Sequence, residues 1–261
     1  DFVMGPDADY AVRNVIGIAK AYPDLAKKVI GAHHLAHRMV ELVAGKRIHP
    51  VAAVPGGFTK PLTREERDQA LEMAKELLDF ATFSIGYAKE NIFPKYLDMI
   101  KTLGVIKTGF LGLVKEGGAH TFYDGKLRMM QPDGSYEDFA PENYLDYIAE
   151  QVEPWTYLKF PYYRKAGKII LDPDNPVGVY RVNTLARINV CDKIPTPLAQ
   201  KELEEFRKEF GRPAQQTLLF HWARLIEMVY AAERAIELLE DPAITSENIK
   251  VPVTPRAARG V

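Results

Sequence analysis

Apolar residues recur three or four positions apart along several stretches of the chain, and this spacing predicts helices. The stretch from Asp24 to Ala44 has one apolar stripe and is followed by Gly45, a residue suited to closing a helix. Thr63-Arg64-Glu65-Glu66 has the form of a capping box and predicts the first turn of a helix that ends or kinks at Pro94. Further helices are predicted at about 9–22, at 141–152, at 199–210 (charged and exposed) and at about 213–239. One or two more helical turns are predicted after Pro94, ending at Leu103.

The pattern changes between Lys107 and Phe139. Turn signals at Asp124-Gly125 and Pro132-Asp133-Gly134 separate short runs of strand-forming residues, HTFY, KLRMM and SYEDF. These runs predict a small antiparallel meander. The chain is therefore predicted to be mainly α, built on long helices, with a small antiparallel β insertion at about 107–140.

Composition restricts the function classes. Of the 261 residues, 47% are apolar and 26% are charged, which is typical of a soluble globular protein. The net charge of −1 provides no basic surface for nucleic acid, and no apolar run approaches the roughly 18–20 residues that span a bilayer. No signal peptide is visible, and the one cysteine, Cys191, builds neither a disulfide framework nor a cysteine-rich metal site. We expect no nucleic-acid partner, no membrane and a reducing compartment.

Two histidines could bind a metal ion. His33 and His37 are four positions apart, so a helix places them on one face, with His34 beside them. The H-E-x-x-H pattern of zinc peptidases is missing because no glutamate stands between them. The alternative is a polar flank beside the apolar stripe.

Other polar positions each allow a functional and a structural interpretation. Cys191 is a nucleophile only beside a base, and is otherwise a small buried hydrophobe. The segment Gly45–Gly57, rich in proline and glycine and apolar in its middle, is either a functional loop lying partly inside the protein or a connector. His221, Arg224, Glu227 and Arg234 form either a solvated helix face with ion pairs or a network buried against another subunit.

A lysine within an aromatic run is also notable. Lys159 lies in the segment Trp155–Tyr163, where it could form a cation–π contact or pair with a buried acid such as Glu150 or Glu153. A surface lysine extending over aromatic rings is the alternative. None of these features indicates an enzyme class by itself.

Four segments, taken in order, resemble one family. GKRIHPVAAVPGG (45–57), EPWTYLKFPYY (153–163), VYRVNTLARINV (179–190) and FHWARLIEMVYAAERAIELL (220–239) are similar to motifs of nickel–iron hydrogenase large subunits. Asn183-Thr184 replaces the family's usual Gly-Pro. The sequences of the motifs are most similar to those of the cytoplasmic, cofactor-coupled branch, which includes methyl-viologen-reducing and NAD-linked enzymes. The resemblance thus implies a cytoplasmic protein with the hydrogenase large-subunit fold.

The chain departs from this family in its cysteines. The family holds its nickel–iron centre through four cysteines in two C-x-x-C pairs, and neither pair is present; Cys191 matches no ligand position. Residues 1–261 are therefore interpreted as the central part of a single large-subunit domain whose two cysteine-bearing ends are missing. No catalytic residue or metal ligand is expected in this chain. We expect no bound nickel–iron centre or magnesium, and no activity of the chain alone.

The resemblance implies roles for particular residues. The parent enzyme would oxidise or produce dihydrogen, with electrons passing to iron–sulfur clusters in a small subunit, then to further electron-transfer subunits. Glu150 and Lys159 match residues that support a magnesium or water site, although Glu153 could take the acid's place. The resemblance assigns the following loop residues to the surface that faces the small subunit's cluster: His49, Pro50, Pro55, Gly56 and Gly57.

Two alternatives remain open. The chain could be a natural, cysteine-free relative that serves as a scaffold or as an electron relay in a larger complex. It could also, without regard to the resemblance, be a zinc-binding helical domain that uses His33 and His37.

Overall fold

The computed structural model describes residues 3–5, 7–258 and 260. These residues form two compact units. The first comprises the chain up to Lys95 together with Ala231–Ala258, and the second comprises Tyr96–Tyr230. No helix within the described ranges is both long and apolar enough to cross a bilayer.

The helices and strands are numbered along the chain. The helices are α1 (Val15–Ala21), α2 (Pro23–Ala44), α3 (Arg64–Asn91), α4 (Leu97–Thr102), α5 (Tyr144–Tyr147), α6 (Asn183–Val190), α7 (Pro197–Phe210) and α8 (Phe220–Glu240). The strands are β1 (Ala53–Val54), β2 (Gly57–Phe58), β3 (Gly109–Val114), β4 (Lys126–Met130), β5 (Tyr136–Phe139), β6 (Ile148–Val152), β7 (Lys159–Tyr163) and β8 (Tyr180–Arg181).

The predicted capping box begins α3. The Thr63 hydroxyl accepts a hydrogen bond from the Glu66 amide at 3.1 Å, and the Glu66 carboxylate accepts one from the Thr63 amide at 3.0 Å. The predicted stripe of small residues is buried, and Ala70 and Ala74 pack with Leu239 in the core of the first unit. This helix is confirmed, and it ends before Pro94 as predicted.

Helix α2 is also confirmed, with Gly45 closing it at a φ of 80°. The preceding helix is shorter than predicted. The Asn14 side chain accepts hydrogen bonds from the amides of Ile16 and Gly17, so α1 begins at Val15. Pro23 occupies the first position of α2, where proline's missing N–H costs nothing.

The predicted β insertion forms a sheet in the second unit. Its strand order is β5-β4-β3-β8; the first three strands are antiparallel, and β8 pairs with β3 in parallel. KLRMM and SYEDF lie in β4 and β5, but the first strand is Gly109–Val114 and the HTFY run forms no strand. Met129, Phe139 and Tyr163 form the buried cluster on this sheet. The predicted fold class, mainly α with a small antiparallel β insertion, is confirmed.

Three local predictions were wrong. Residues 148–152 are a strand, because they pair with β7 in register from Ile148↔Tyr163 to Val152↔Lys159. Helix α7 is not simply exposed, since Ala199, Leu203 and Phe206 are buried. The last long helix begins at Phe220, after a 3₁₀ turn at Thr217–Leu219, rather than at Pro213.

Helix α6 begins with an asparagine in an uncommon backbone conformation. Asn183 has a φ of 75°, a left-handed conformation that glycine adopts freely and asparagine tolerates better than most residues. Its side-chain oxygen accepts a hydrogen bond from the Thr184 amide at 2.8 Å. Asn183 can therefore occupy a backbone conformation that otherwise favours glycine.

Candidate functional site

The loop after α2 lies in the first unit. It forms a short hairpin in which Ala53 pairs with Phe58, and Gly56 and Gly57 have φ values of 91° and 151°. The segment near residue 250 packs on this hairpin, since the Val251 amide donates to the Gly56 carbonyl at 3.0 Å. A Cβ on Gly57 would lie 1.9 Å from the Ile249 carbonyl oxygen, so that position requires glycine.

The loop is more exposed than predicted. Ala52 is buried, but Ile48 and Val51 are 66% and 56% exposed. His49, Pro50 and Pro55 are exposed as well. His49 has a φ of 53°, which is uncommon for a residue with a side chain and often marks a functional constraint. The expectation that the loop lies partly inside the protein was wrong for most of it.

Glu150 and Lys159 meet across the β6–β7 hairpin. Lys159 Nζ lies 3.1 Å from Glu150 Oε2, and the two side chains are 63% and 55% exposed. Glu153 instead accepts a hydrogen bond from Gln151. An open cleft of about 690 Å³ beside the hairpin is lined by Glu150, Gln151, Val152, Glu153, Tyr162, Arg164, Gly167 and Lys168. Of the two candidate acids, Glu150 is the one that pairs with Lys159, and at these exposures the pair contributes little to stability.

Glu227 of α8 is the centre of a buried polar cluster in the second unit. Arg187 donates two hydrogen bonds of 2.6 Å to its carboxylate, and His120 Nε2 lies 2.9 Å from Oε1. The rings of Phe122 and Tyr230 enclose His120, with centroids 5.1 Å and 4.7 Å away. Burial would raise the pKa of Glu227, but the bonds from His120 and Arg187 and their charges outweigh it and lower that pKa.

This cluster differs from the predicted one. Glu227 is buried, whereas His221 and Arg224 are exposed on α8. Partial burial, followed by the charge of Arg224, lowers the pKa of His221. The partners of Glu227 come from other elements, and the hydrogen bond to His120 spans 107 positions in sequence. Arg187 belongs to a segment that carried the family resemblance, but the sequence contained no signal that pointed to His120.

A second buried polar cluster was not predicted from the sequence. Arg128 of β4 is 4% exposed and donates to both oxygens of Asp138, the residue directly opposite on β5. Its Nη1 also donates to Asp192 at 2.8 Å, and Arg212 pairs with the same carboxylate at 2.9 Å. Burial would raise the pKa of Asp192, but Arg128 and Arg212 lower it. The alternating register of β4 and β5 could have indicated the Arg128–Asp138 pair.

Cys191 is buried and not reactive. Burial raises the pKa of its thiol to about 11, despite the neighbouring Arg207 and Arg212. A nucleophile or metal ligand must be a thiolate, so this environment favours the interpretation of Cys191 as a small buried hydrophobe. Within the described part of the chain, no three or more histidine, cysteine, aspartate or glutamate side chains come together to hold a metal ion.

Comparison with known proteins finds similarity to hydrogenase subunits, although no family model matches the chain. All of it aligns at 49% identity over 262 residues with an F420-non-reducing hydrogenase subunit of Methanocaldococcus jannaschii, of which it covers 60%. It also aligns at 34% identity over 268 residues with the beta subunit of the NAD-reducing hydrogenase HoxS of Cupriavidus necator, of which it covers 53%. The chain thus spans little more than half the length of these relatives.

The structural comparison agrees. The crystal structure of an NAD⁺-reducing nickel–iron hydrogenase in the H₂-reduced state matches with a TM-score of 0.87 at 34% identity, over 98% of this chain and 56% of that chain. The chain has the fold of a nickel–iron hydrogenase large subunit. These similarities agree with the large-subunit resemblance of the four motifs, whereas the assignment to one branch and the interpretation as a single domain stay predictions.

Proposed function

We propose that this chain is part of the large subunit of a nickel–iron hydrogenase that oxidises or produces dihydrogen in the cytoplasm. The observation that carries the proposal is the agreement along 98% of the chain with a hydrogenase structure, at a TM-score of 0.87. Similarity to F420-non-reducing and NAD-reducing hydrogenase subunits supports the cofactor-coupled branch. Partners would be a small subunit with iron–sulfur clusters, together with further electron-transfer subunits.

The metal chemistry would depend on residues outside this chain. A nickel–iron centre splits dihydrogen heterolytically and is held by soft thiolates. The chain has one cysteine, and its thiol is buried with a pKa raised to about 11. The residues present do not fit such a centre, so no chemical step is assigned to them, and none is assigned to the magnesium that the resemblance implies.

The role proposed for Glu150 and Lys159 is positioning. Their ion pair of 3.1 Å is largely exposed, and Trp155 and Tyr157, in the segment that joins β6 to β7, are 70% and 94% exposed. Large aromatic side chains with this exposure are typical of surfaces that another protein segment covers. Covered by such a segment, the pair would be desolvated and could hold polar groups near a metal site in a fixed orientation.

The loop that carries His49 would face the small subunit. Its left-handed His49, the exposed Ile48 and Val51, and the glycine-dependent hairpin at Gly56-Gly57 support this role, because rigid exposed loops with strained residues commonly serve recognition. Pro50 and Pro55 restrict the backbone on either side of the apolar stretch.

Hydrogen-dependent reduction of a viologen dye tests the proposal. We expect no activity from this chain alone, and activity with nickel incorporation from the complete gene product assembled with its small subunit. If the complete protein assembles but contains no nickel, the proposal is contradicted and the cysteine-free scaffold is favoured. Activity of this chain alone would contradict the expectation that its residues supply no ligands to a nickel–iron centre.

The role of Glu150 and Lys159 is tested in the assembled enzyme. Lys159→Ala is expected to reduce activity by about tenfold to a hundredfold, as removal of a group that orients metal ligands commonly does. The matched control is Lys208→Ala, on the exposed side of α7. Equal activity of the two variants would contradict the positioning role.

A further inference from the structure

Two histidines on α2 are not used by the proposed function. His33 and His37 stand one turn apart, and their Nε2 atoms are 3.3 Å from each other. Two imidazole nitrogens bound to one tetrahedral zinc ion, each about 2.05 Å from it, would be about 3.4 Å apart. The spacing in the structure therefore matches the spacing that a single bound ion requires.

The loop after α2 orients one of the two rings. His37 Nδ1 lies 3.3 Å from the backbone carbonyl oxygen of Arg47. A carbonyl oxygen can only accept, so Nδ1 carries the proton and Nε2 keeps its lone pair. Histidines that bind metals commonly donate their other N–H to a backbone carbonyl in this way. Nε2 of His37 is thus prepared as a ligand atom and is directed at His33.

The position of Arg47 is itself held by α2. Arg47 Nε donates to Glu41 Oε2 at 2.7 Å, and the Gly45 amide donates to the Glu41 carbonyl at 2.8 Å. These bonds keep the Arg47 carbonyl over the helix. Without an ion, the His33 Nε2–H can donate to His37 Nε2 at the same distance, so the pair is organised before any ion binds. On ion binding His33 takes its other neutral tautomer, in which the proton is on Nδ1 and Nε2 has a free lone pair.

We propose that His33 and His37 bind one late first-row divalent cation, such as Zn²⁺ or Cu²⁺, through their Nε2 atoms. Imidazole is a suitable ligand for these ions. In the described part of the chain no third metal-binding side chain joins the pair, so water completes the coordination. The ion is therefore exchangeable, unlike one held by four protein ligands. Because Arg47 orients His37, ion binding stabilises the start of the loop that leads to His49.

Calorimetric titration of the purified chain with Zn²⁺ tests this proposal. We expect one ion per chain, and at least about tenfold weaker binding for His33→Ala and for His37→Ala. The matched control is His34→Ala, which removes a histidine from the same turn without touching the pair. Its affinity should stay within about twofold of the original chain. Absence of zinc binding, or equal weakening by all three substitutions, would overturn the proposal.

Electron paramagnetic resonance of bound Cu²⁺ provides a measurement independent of affinity. The original chain and His34→Ala should show coupling to two imidazole nitrogens, and His33→Ala and His37→Ala should show coupling to one. Circular dichroism of each variant checks that α2 remains folded. A spectrum that the His37 substitution leaves unchanged would place the ion elsewhere and contradict the assignment.

Discussion

Helices α2 and α6 have similar local signals and very different surroundings. Both are amphipathic, but α6 buries six of its eight residues (Thr184, Leu185, Ala186, Ile188, Asn189 and Val190), whereas α2 buries only Ala26 among its 22. On α2, Val29, Ile30, Val40 and Val43 are each at least 36% exposed. Amphipathic spacing predicted α2 without indicating how exposed it would be, and α6 was not predicted as a helix at all.

Packing against the sheet explains the burial of α6. A Cβ added to Gly112 of β3 would lie 2.8 Å from a methyl group of Val190, so the strand and the helix approach closely only because glycine stands there. Arg187 of the same helix reaches the buried Glu227. By contrast, the charged groups beside α2, such as Arg47 and Glu41, pair while 44% and 48% exposed. Stability is therefore expected to depend on α6 far more than on the outer face of α2.

The largest effect on the free energy of unfolding is expected at Glu227, the buried partner of Arg187 on α6. Glu227→Ala removes the acceptor of three hydrogen bonds and leaves Arg187 and His120 without their partner. We expect a loss of about 3–5 kcal/mol in the free energy of unfolding, measured by denaturant titration. The control is Glu237→Ala, which removes an exposed partner of Arg234 and should cost less than about 1 kcal/mol.

Acid provides a second test of the same group. The pKa of Glu227 is lower in the folded chain than its ordinary value, so the charge stabilises the fold above that value. That contribution is lost as the pH falls through the folded-state pKa. Glu227→Gln should therefore lose less stability on acidification below about pH 4.5 than the original chain loses. Identical losses in the two proteins would contradict the pairing.

A pair of apolar truncations compares the two helices directly. Leu185 of α6 is completely buried, and Ile30 of α2 is 58% exposed. We expect Leu185→Ala to cost about 2–5 kcal/mol because it leaves a cavity, and Ile30→Ala to change stability by less than about 0.5 kcal/mol. Thermal and denaturant unfolding of both variants measure the difference. A cost at Ile30 equal to that at Leu185 would show that the outer face of α2 is covered in solution.

The smallest effect on stability is expected at the capping box of α3. Thr63→Ala removes the side-chain half of the capping box of α3 and should cost about 1 kcal/mol. Thr59→Ala, an exposed threonine just before the helix, is the control and should have almost no effect on the unfolding midpoint. Equal shifts for the two variants would show that the capping bond contributes nothing.

Several expectations depended on how distant parts of the chain meet. One of the alternatives for Lys159 was a pair with a buried Glu150 or Glu153; the register of β6 and β7 selects Glu150, and the pair is exposed. Residues 148–152 were predicted as part of a helix, and their sequence IAEQV lacks the strict apolar–polar alternation that would have favoured a strand. In the structure these residues form a strand because they pair with β7. Similarly, the mixed apolar and polar character of the loop after α2 did not reveal that most of it is exposed.

Local sequence was enough to predict the features that neighbouring residues set. These are the helical periods, the capping box at Thr63, the turns at Asp124-Gly125 and Pro132-Asp133-Gly134, the single cysteine, and the order of the four motifs. Local conformation depends on interactions within about four positions, so it can be predicted from the residues alone. Long-range folding was needed to bring His120 and Arg187 to Glu227 and to place Arg128 between two aspartates. Burial and pairing depend on residues remote in sequence, and no local pattern specifies which of them will meet.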